Sequence, residues 1–143
     1  MPSVTAAMTP ISRERYTILV LDDDPSVLEC YEKLLRRAGY RTMTAGDPRR
    51  VLSEGTDLTP VDLILLDYKM PGMDGLSFLA ELRRKECRAR CVLISAFVND
   101  GVRQQANLLG VDRVLEKPVA ADLLRGALAD LLPNRGPAAP PGA

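Results

Sequence analysis

The stretch Asp62–Gly75, DLILLDYKMPGMDG, decides how the rest of the chain is read. Leu63 to Leu66 form an apolar run of strand length, and the run ends abruptly in Asp67. Met70-Pro71-Gly72 is a turn signal, and Asp74-Gly75 looks like the start of a helix carrying Leu76, Leu79 and Leu82. A strand that is apolar on consecutive residues is covered on both faces, which is the habit of a parallel sheet. Its terminal carboxylate is then either a turn acid or a reactive group held at the rim of the sheet.

The same unit recurs outward from this stretch. "TILVL" (17–21), "RTMT" (41–44), "VDLILL" (61–66), "CVLIS" (91–95) and "RVLE" (113–116) read as strands. Helical spacing follows each of them. Asp24-Pro25 opens a helix with Val27, Leu28, Tyr31, Leu34, Leu35 and Ala38 on one face, ended by Gly39. Asp47-Pro48 opens a short helix to about Glu54. Asn99 or Asp100 caps a helix carrying Val102, Ala106 and Leu109, and from Pro118 onward Leu123, Leu124, Ala127, Leu128 and Leu131 mark a fifth, stopped by Pro133. Strand then helix, five times, predicts an α/β fold: a doubly wound, five-stranded parallel sheet with helices on both faces. Residues 1–16 are expected to be a disordered lead, 17–132 one domain, and 133–143 a disordered Pro/Gly/Ala-rich tail.

Composition narrows the function classes. The 143 residues are 46% hydrophobic and 27% charged, as in a single soluble domain able to bury a core. Nineteen basic and nineteen acidic residues cancel, so the overall charge offers no case for a nucleic-acid or anionic-membrane partner. No apolar stretch approaches bilayer length and no signal peptide is recognisable, so a cytoplasmic location is expected. Histidine is absent, which removes His-based triads, histidine general bases and Cys/His zinc sites. Cys30, Cys87 and Cys91 are expected to be free thiols. The basic stretch "RRKECRAR" (83–90) reads as the solvated end of the third helix.

In a parallel sheet of this kind ligands bind beyond the carboxyl ends of the strands. Those ends carry Asp22-Asp23-Asp24, Asp67, Ser95 and Glu116-Lys117-Pro118. Each residue alone has a structural reading: a cap for Asp24, a turn acid for Asp67, a loop hydroxyl for Ser95, a solvated charge for Lys117. Together they put carboxylates, one hydroxyl and one ammonium on a single rim. Clustered carboxylates repel unless a cation joins them, and with no histidine or paired thiolate the natural guest is a hard, oxygen-liking ion such as Mg²⁺. A carboxylate beside such an ion is a competent nucleophile toward phosphorus.

The pieces ILVLDDDPSVLE, DLILLDYKMPGMDGL, VLISA and LEKP, in this order and spacing, resemble the receiver domain of two-component response regulators over about Thr17 to Leu132. The resemblance implies a flavodoxin-like fold with strand order 2-1-3-4-5. It implies Asp67 as phosphoacceptor, and Asp22 and Asp23 as the acidic pair for Mg²⁺, joined by Asp67 and the backbone carbonyl of Lys69. Ser95 would hydrogen-bond the phosphoryl group, and Lys117 would pair with it, followed by a cis-type bond to Pro118. The implied phosphodonor is a histidine kinase or histidine phosphotransfer protein. Output is expected to be protein–protein rather than enzymatic, through the fourth helix, fifth strand and fifth helix, including phosphorylation-dependent homodimers. One position departs from the family. Three residues before the lysine it commonly has Tyr or Phe, and here stands Val114, so the usual coupling of Ser95 to a rotating ring is in question. Phe97, near the rim, is a candidate gate or partner contact, and Lys69 a candidate modifier of phosphoryl lifetime.

Two other readings stand beside this one. A haloacid-dehalogenase-type phosphatase would use Asp22 as nucleophile and Asp24 as acid/base, but leaves DYKMPGMDG unexplained. A receiver-like scaffold that never takes phosphate would keep the fold alone.

Overall fold

The computed structural model describes residues 16–133; the expected lead and tail lie outside them, apart from Tyr16 and Pro133. The five strands are β1 (Thr17–Leu21), β2 (Arg41–Ala45), β3 (Leu63–Asp67), β4 (Arg90–Ser95) and β5 (Arg113–Glu116). The helices are α1 (Pro25–Arg37), α2 (Pro48–Ser53), α3 (Gly75–Arg84), α4 (Asp100–Leu108) and α5 (Ala121–Leu131). All strand pairs are parallel, in the order β2-β1-β3-β4-β5. This is the flavodoxin-like strand order that the family resemblance implies.

The core explains why the central strands carry no polar alternation. Leu19, Leu21, Ile64, Leu66, Cys91 and Leu93 point to one face and pack under α2, α3 and α4, with Phe78, Leu79 and Leu82 fully or almost fully buried. Ile18, Val20, Leu63, Leu65, Val92 and Ile94 point to the other face, against Leu35 of α1 and Leu124 and Leu128 of α5. Successive side chains of one strand thus enter two different cores.

Short polar residues set where the helices begin. Asp24, Asp47, Asp74 and Asn99 each accept a backbone N–H of the first turn of α1 to α4 in turn. The fourth cap is therefore Asn99, not Asp100. The fifth helix starts three residues later than Pro118, because Ala120 is extended and brings no side-chain cap. Asp67 falls inside β3 as its last residue, while Val61 and Asp62 fall outside it. Asp62 instead accepts the Thr17 backbone N–H at 2.8 Å, and Asp112 accepts that of Cys91 at 2.9 Å. An acid just before β3 and another just before β5 thus each tie down the start of a neighbouring strand.

One expectation for the surface is narrowed. Arg84, Lys85, Glu86, Arg88 and Arg90 are exposed, but Arg83 is half-buried. Its guanidinium donates to the backbone carbonyls of Leu109 (3.1 Å), Cys87 (2.9 Å) and Ala89 (2.8 Å). Among the described residues no helix is long and apolar enough to cross a membrane.

Candidate functional site

The ends of β1, β3 and β5 converge at the carboxyl rim. Asp22 follows β1, is almost completely buried, and accepts the Asp24 N–H at 2.9 Å. Asp67 ends β3, also buried, and its Oδ1 lies 3.0 Å from Lys117 Nζ. The same ammonium stands 3.8 Å from Asp22 Oδ2. Asp23 is exposed, yet one oxygen each of Asp22, Asp23 and Asp67 lie within 4.8 Å of one another. The Lys117–Pro118 peptide bond is cis.

The backbone behind Asp67 is built tightly. Gly75 N–H donates to Tyr68 O at 2.7 Å, so the chain after Asp67 loops out and returns to the same spot. A Cβ at Gly75 would stand 2.4 Å from the Asp67 carbonyl oxygen. The turn sequence MPGMDG is therefore required partly by packing behind the acid. Lys69 lies exposed in this loop.

Ser95 is placed at the rim but engaged elsewhere. It is 2% exposed, donates its hydroxyl to Phe97 O at 2.9 Å, and accepts the Phe97 N–H at 3.0 Å. Phe97 is 74% exposed. Val114 is half-buried and packs with the α2–α4 core. Asp24 is committed to capping, accepting both the N–H and the hydroxyl of Ser26. That leaves it poorly suited to the free acid/base part of the phosphatase reading. Burial pushes the Cys91 thiol up to about 12, which leaves that cysteine a poor nucleophile.

Electrostatics follow from crowding. Burial first, and then the neighbouring acids, lift the Asp67 and Asp22 carboxyls above the ordinary carboxylate range, although Lys117 pulls both down. Burial works to lower Lys117, but its bond to Asp67 and the charges of Asp67 and Asp22 outweigh it and hold the ammonium above its usual value. Folding therefore favours protonated carboxyls, so their contribution to stability is best at acid pH and worsens as pH rises through the raised folded-state range. Without divalent metal, Asp67→Asn is expected to raise Tm by a few degrees at neutral pH. Lys117 keeps Asp22 as partner, and the gain should vanish below the ordinary carboxylate range, about pH 3. Thermal melts of both proteins across this range in chelator check it; a lower Tm for the variant at neutral pH would refute it.

The response regulator receiver domain family matches residues 18–129. The chain belongs to this family. The receiver domain is 30% identical over 116 residues to sporulation initiation phosphotransferase F of Bacillus subtilis, covering 81% of this chain and 93% of that protein. It is 34% identical over 119 residues to the transcriptional regulatory protein PrrA of Mycobacterium leprae, spanning 83% of this chain and 51% of that longer protein. Among solved structures it resembles a receiver domain protein of Clostridium thermocellum, at TM-score 0.74 and 25% identity, covering 82% of this chain and 94% of that one. It also resembles the response regulator TrrA of Thermotoga maritima in complex with Mg²⁺ and a beryllium fluoride, at TM-score 0.68 and 29% identity, covering 82% of this chain and 99% of that one. This is a receiver domain of two-component signalling. Receiver domains bind Mg²⁺ at an acidic pocket, and the acidic cluster is present here.

Proposed function

We propose that this receiver domain accepts a phosphoryl group on Asp67 from a histidine kinase or histidine phosphotransfer protein. The observation that carries this reading is the contact of Lys117 Nζ with Asp67 Oδ1 at 3.0 Å, inside a triad of converging acids. A carboxylate oxygen of Asp67 attacks phosphorus, the phosphorus–nitrogen bond of the donor phosphohistidine breaks, and its electron pair leaves with the imidazole. The product is an acyl phosphate on Asp67. Lys117 then turns from pairing a carboxylate to pairing a phosphoryl oxygen, so the ammonium is never left without a counter-charge.

The donor set fits Mg²⁺: carboxylate oxygens of Asp22, Asp23 and Asp67, without nitrogen or sulfur ligands, to which the family resemblance adds the Lys69 carbonyl. Bound there, the ion would neutralise the acids and draw charge from the phosphoryl oxygens. The signal leaves by protein–protein contact, homodimers included, over α4, β5 and α5, where Leu108 and Leu123 stand out as exposed apolar side chains. A cytoplasmic site of action fits this role.

The test is incubation with acetyl phosphate and Mg²⁺, followed by intact mass and by gel filtration. Wild type is expected to gain one phosphoryl group, and Asp67→Asn none. An adduct on the variant would overturn the assignment, and no adduct on wild type would favour the scaffold reading. Lys69 bears on the lifetime of the product. Lys69 is exposed two residues after Asp67; with its charge on the path of the attacking water, Lys69→Ala is expected to hasten dephosphorylation. An exposed charge contributes up to about 1 kcal/mol, which limits the change to about fivefold. Equal decay rates would remove this role.

A further inference from the structure

We infer that Phe97 is the moving part through which phosphorylation is read, held outward by the Ser95 hydroxyl until the phosphoryl group claims that hydroxyl. This rests on Asp67 being the phosphoacceptor and adds how the rest of the domain responds.

The two hydrogen bonds between Ser95 and Phe97 form a closed latch. The buried hydroxyl spends its one proton on Phe97 O and accepts the Phe97 N–H, so both backbone groups of residue 97 are fixed by one side chain. The latch holds a large ring in water, a placement that burial alone would not favour. Ser95 ends β4 beside β3, with Asp67 opposite Ile94, so a phosphoryl group on Asp67 arrives next to this hydroxyl. A bond from the hydroxyl to a phosphoryl oxygen is charge-assisted and about twice as strong as one to a neutral carbonyl. Ser95 has a single proton, so gaining that bond breaks the one to Phe97 O. The freed backbone groups belong to an exposed residue and are taken up by water, while the buried hydroxyl keeps a partner throughout.

The ring has a place to go. A groove of about 520 Å³ runs between α4 and β5, lined by Arg103, Ala106, Val111, Arg113 and Val114 among others. Phe97 lies on the loop that leads from β4 into α4, two residues before the Asn99 cap. Arg103 N–H bonds Asn99 O, one turn up the same helix, and Ser95 pairs with Glu116, two residues along β5 from Val114. Val114 is too small to fill this groove, whereas a phenyl ring against Ala106 and Val114, with the Arg103 guanidinium over its face, would gain burial and a cation–π partner. The two states thus differ in named contacts: latch closed with the groove open, or latch broken with Phe97 lying in the groove.

The chain has no tryptophan, so F97W provides a unique fluorescent reporter at an exposed site. With acetyl phosphate and Mg²⁺, and the adduct confirmed by intact mass in the same sample, the indole emission is expected to shift to the blue and to lose most of its acrylamide quenching. In S95A/F97W the indole should already be shielded with no phosphodonor present. In F97W/V114F, where the groove is filled, it should stay quenchable even when the adduct forms. An indole that remains quenchable in phosphorylated F97W, or that stays exposed in S95A/F97W, overturns the inference. Failure of the adduct itself is read separately by mass and overturns the phosphoacceptor reading beneath it.

Discussion

Gly75→Ala is expected to lose about 3 kcal/mol of stability and to impair phosphorylation of Asp67, although it changes one hydrogen into a methyl group. The added Cβ would stand 2.4 Å from the Asp67 carbonyl oxygen, 3.2 Å from its carbonyl carbon and 3.0 Å from Leu66 Cγ. The nearest of these atoms is backbone, at the end of the strand paired to β1 and β4, and the Tyr68 N–H just beyond donates to Ile94 O at 2.9 Å. Relief requires moving β3 or α3, and overpacking of this kind costs about 1–3 kcal/mol, more where backbone must shift. Two effects oppose it. Alanine suits a helix better than glycine by up to about 1 kcal/mol, and it restricts the unfolded chain. Neither offsets a clash with fixed backbone. Gly126, within α5, is the matched control: a Cβ there meets nothing within 4 Å, so Gly126→Ala is expected to stabilise by about 0.5–1 kcal/mol. Urea unfolding of the two variants should give midpoints displaced in opposite directions with unchanged slope. Equal midpoints would show that the loop behind Asp67 yields freely.

Gly75 also marks what was legible in the sequence. Strand–helix alternation, the Asp-Pro openings of α1 and α2, and unbroken apolar strands predicted a five-stranded parallel sheet with helices on both faces, because each is a local signal tied to a local cause; the strand order followed only from the family resemblance. The rim was legible for the same reason: a strand end is visible in sequence, and a parallel sheet brings strand ends together. What stayed hidden depends on distance across the fold. Nothing in DLILLDYKMPGMDG says that Gly75 returns to touch Asp67. The Ser95 hydroxyl was expected at the phosphoryl site, and its present bonds to Phe97 are set by a loop conformation that residue types do not encode. Asp62, read as part of the third strand, instead lies outside it and accepts a hydrogen bond from Thr17, 45 residues away. Arg83 departs from a stretch that is otherwise largely exposed. A run of basic residues suggests solvent, and periodicity cannot tell a solvated arginine from one whose head folds back onto carbonyls.

Arg83→Met is expected to cost about 3 kcal/mol, the other large stability effect. The guanidinium joins three chain segments: the end of α3 and its loop through Cys87 O, the lead into β4 through Ala89 O, and the end of α4 through Leu109 O. Leu109 is the C-cap of α4, where helix carbonyls lack intrahelical donors. Hydrogen bonds from a charged donor contribute about 1.5–3 kcal/mol each, but three on one head are not additive, and the site is only part-buried. Methionine keeps the apolar stem over the core and removes the fork, which separates lost hydrogen bonds from lost packing. Arg83→Lys retains the charge but is a point donor with no planar fork, so it should recover less than half of the loss. Hydrogen exchange offers a local readout. If the fork ties these segments together, Arg83→Met should raise exchange at Cys87 and around Leu109–Val111 while β1 and β3 keep their protection. Uniform loss of protection would mean that Arg83 supports the fold only globally, and an unchanged midpoint would mean that water replaces its three bonds without cost.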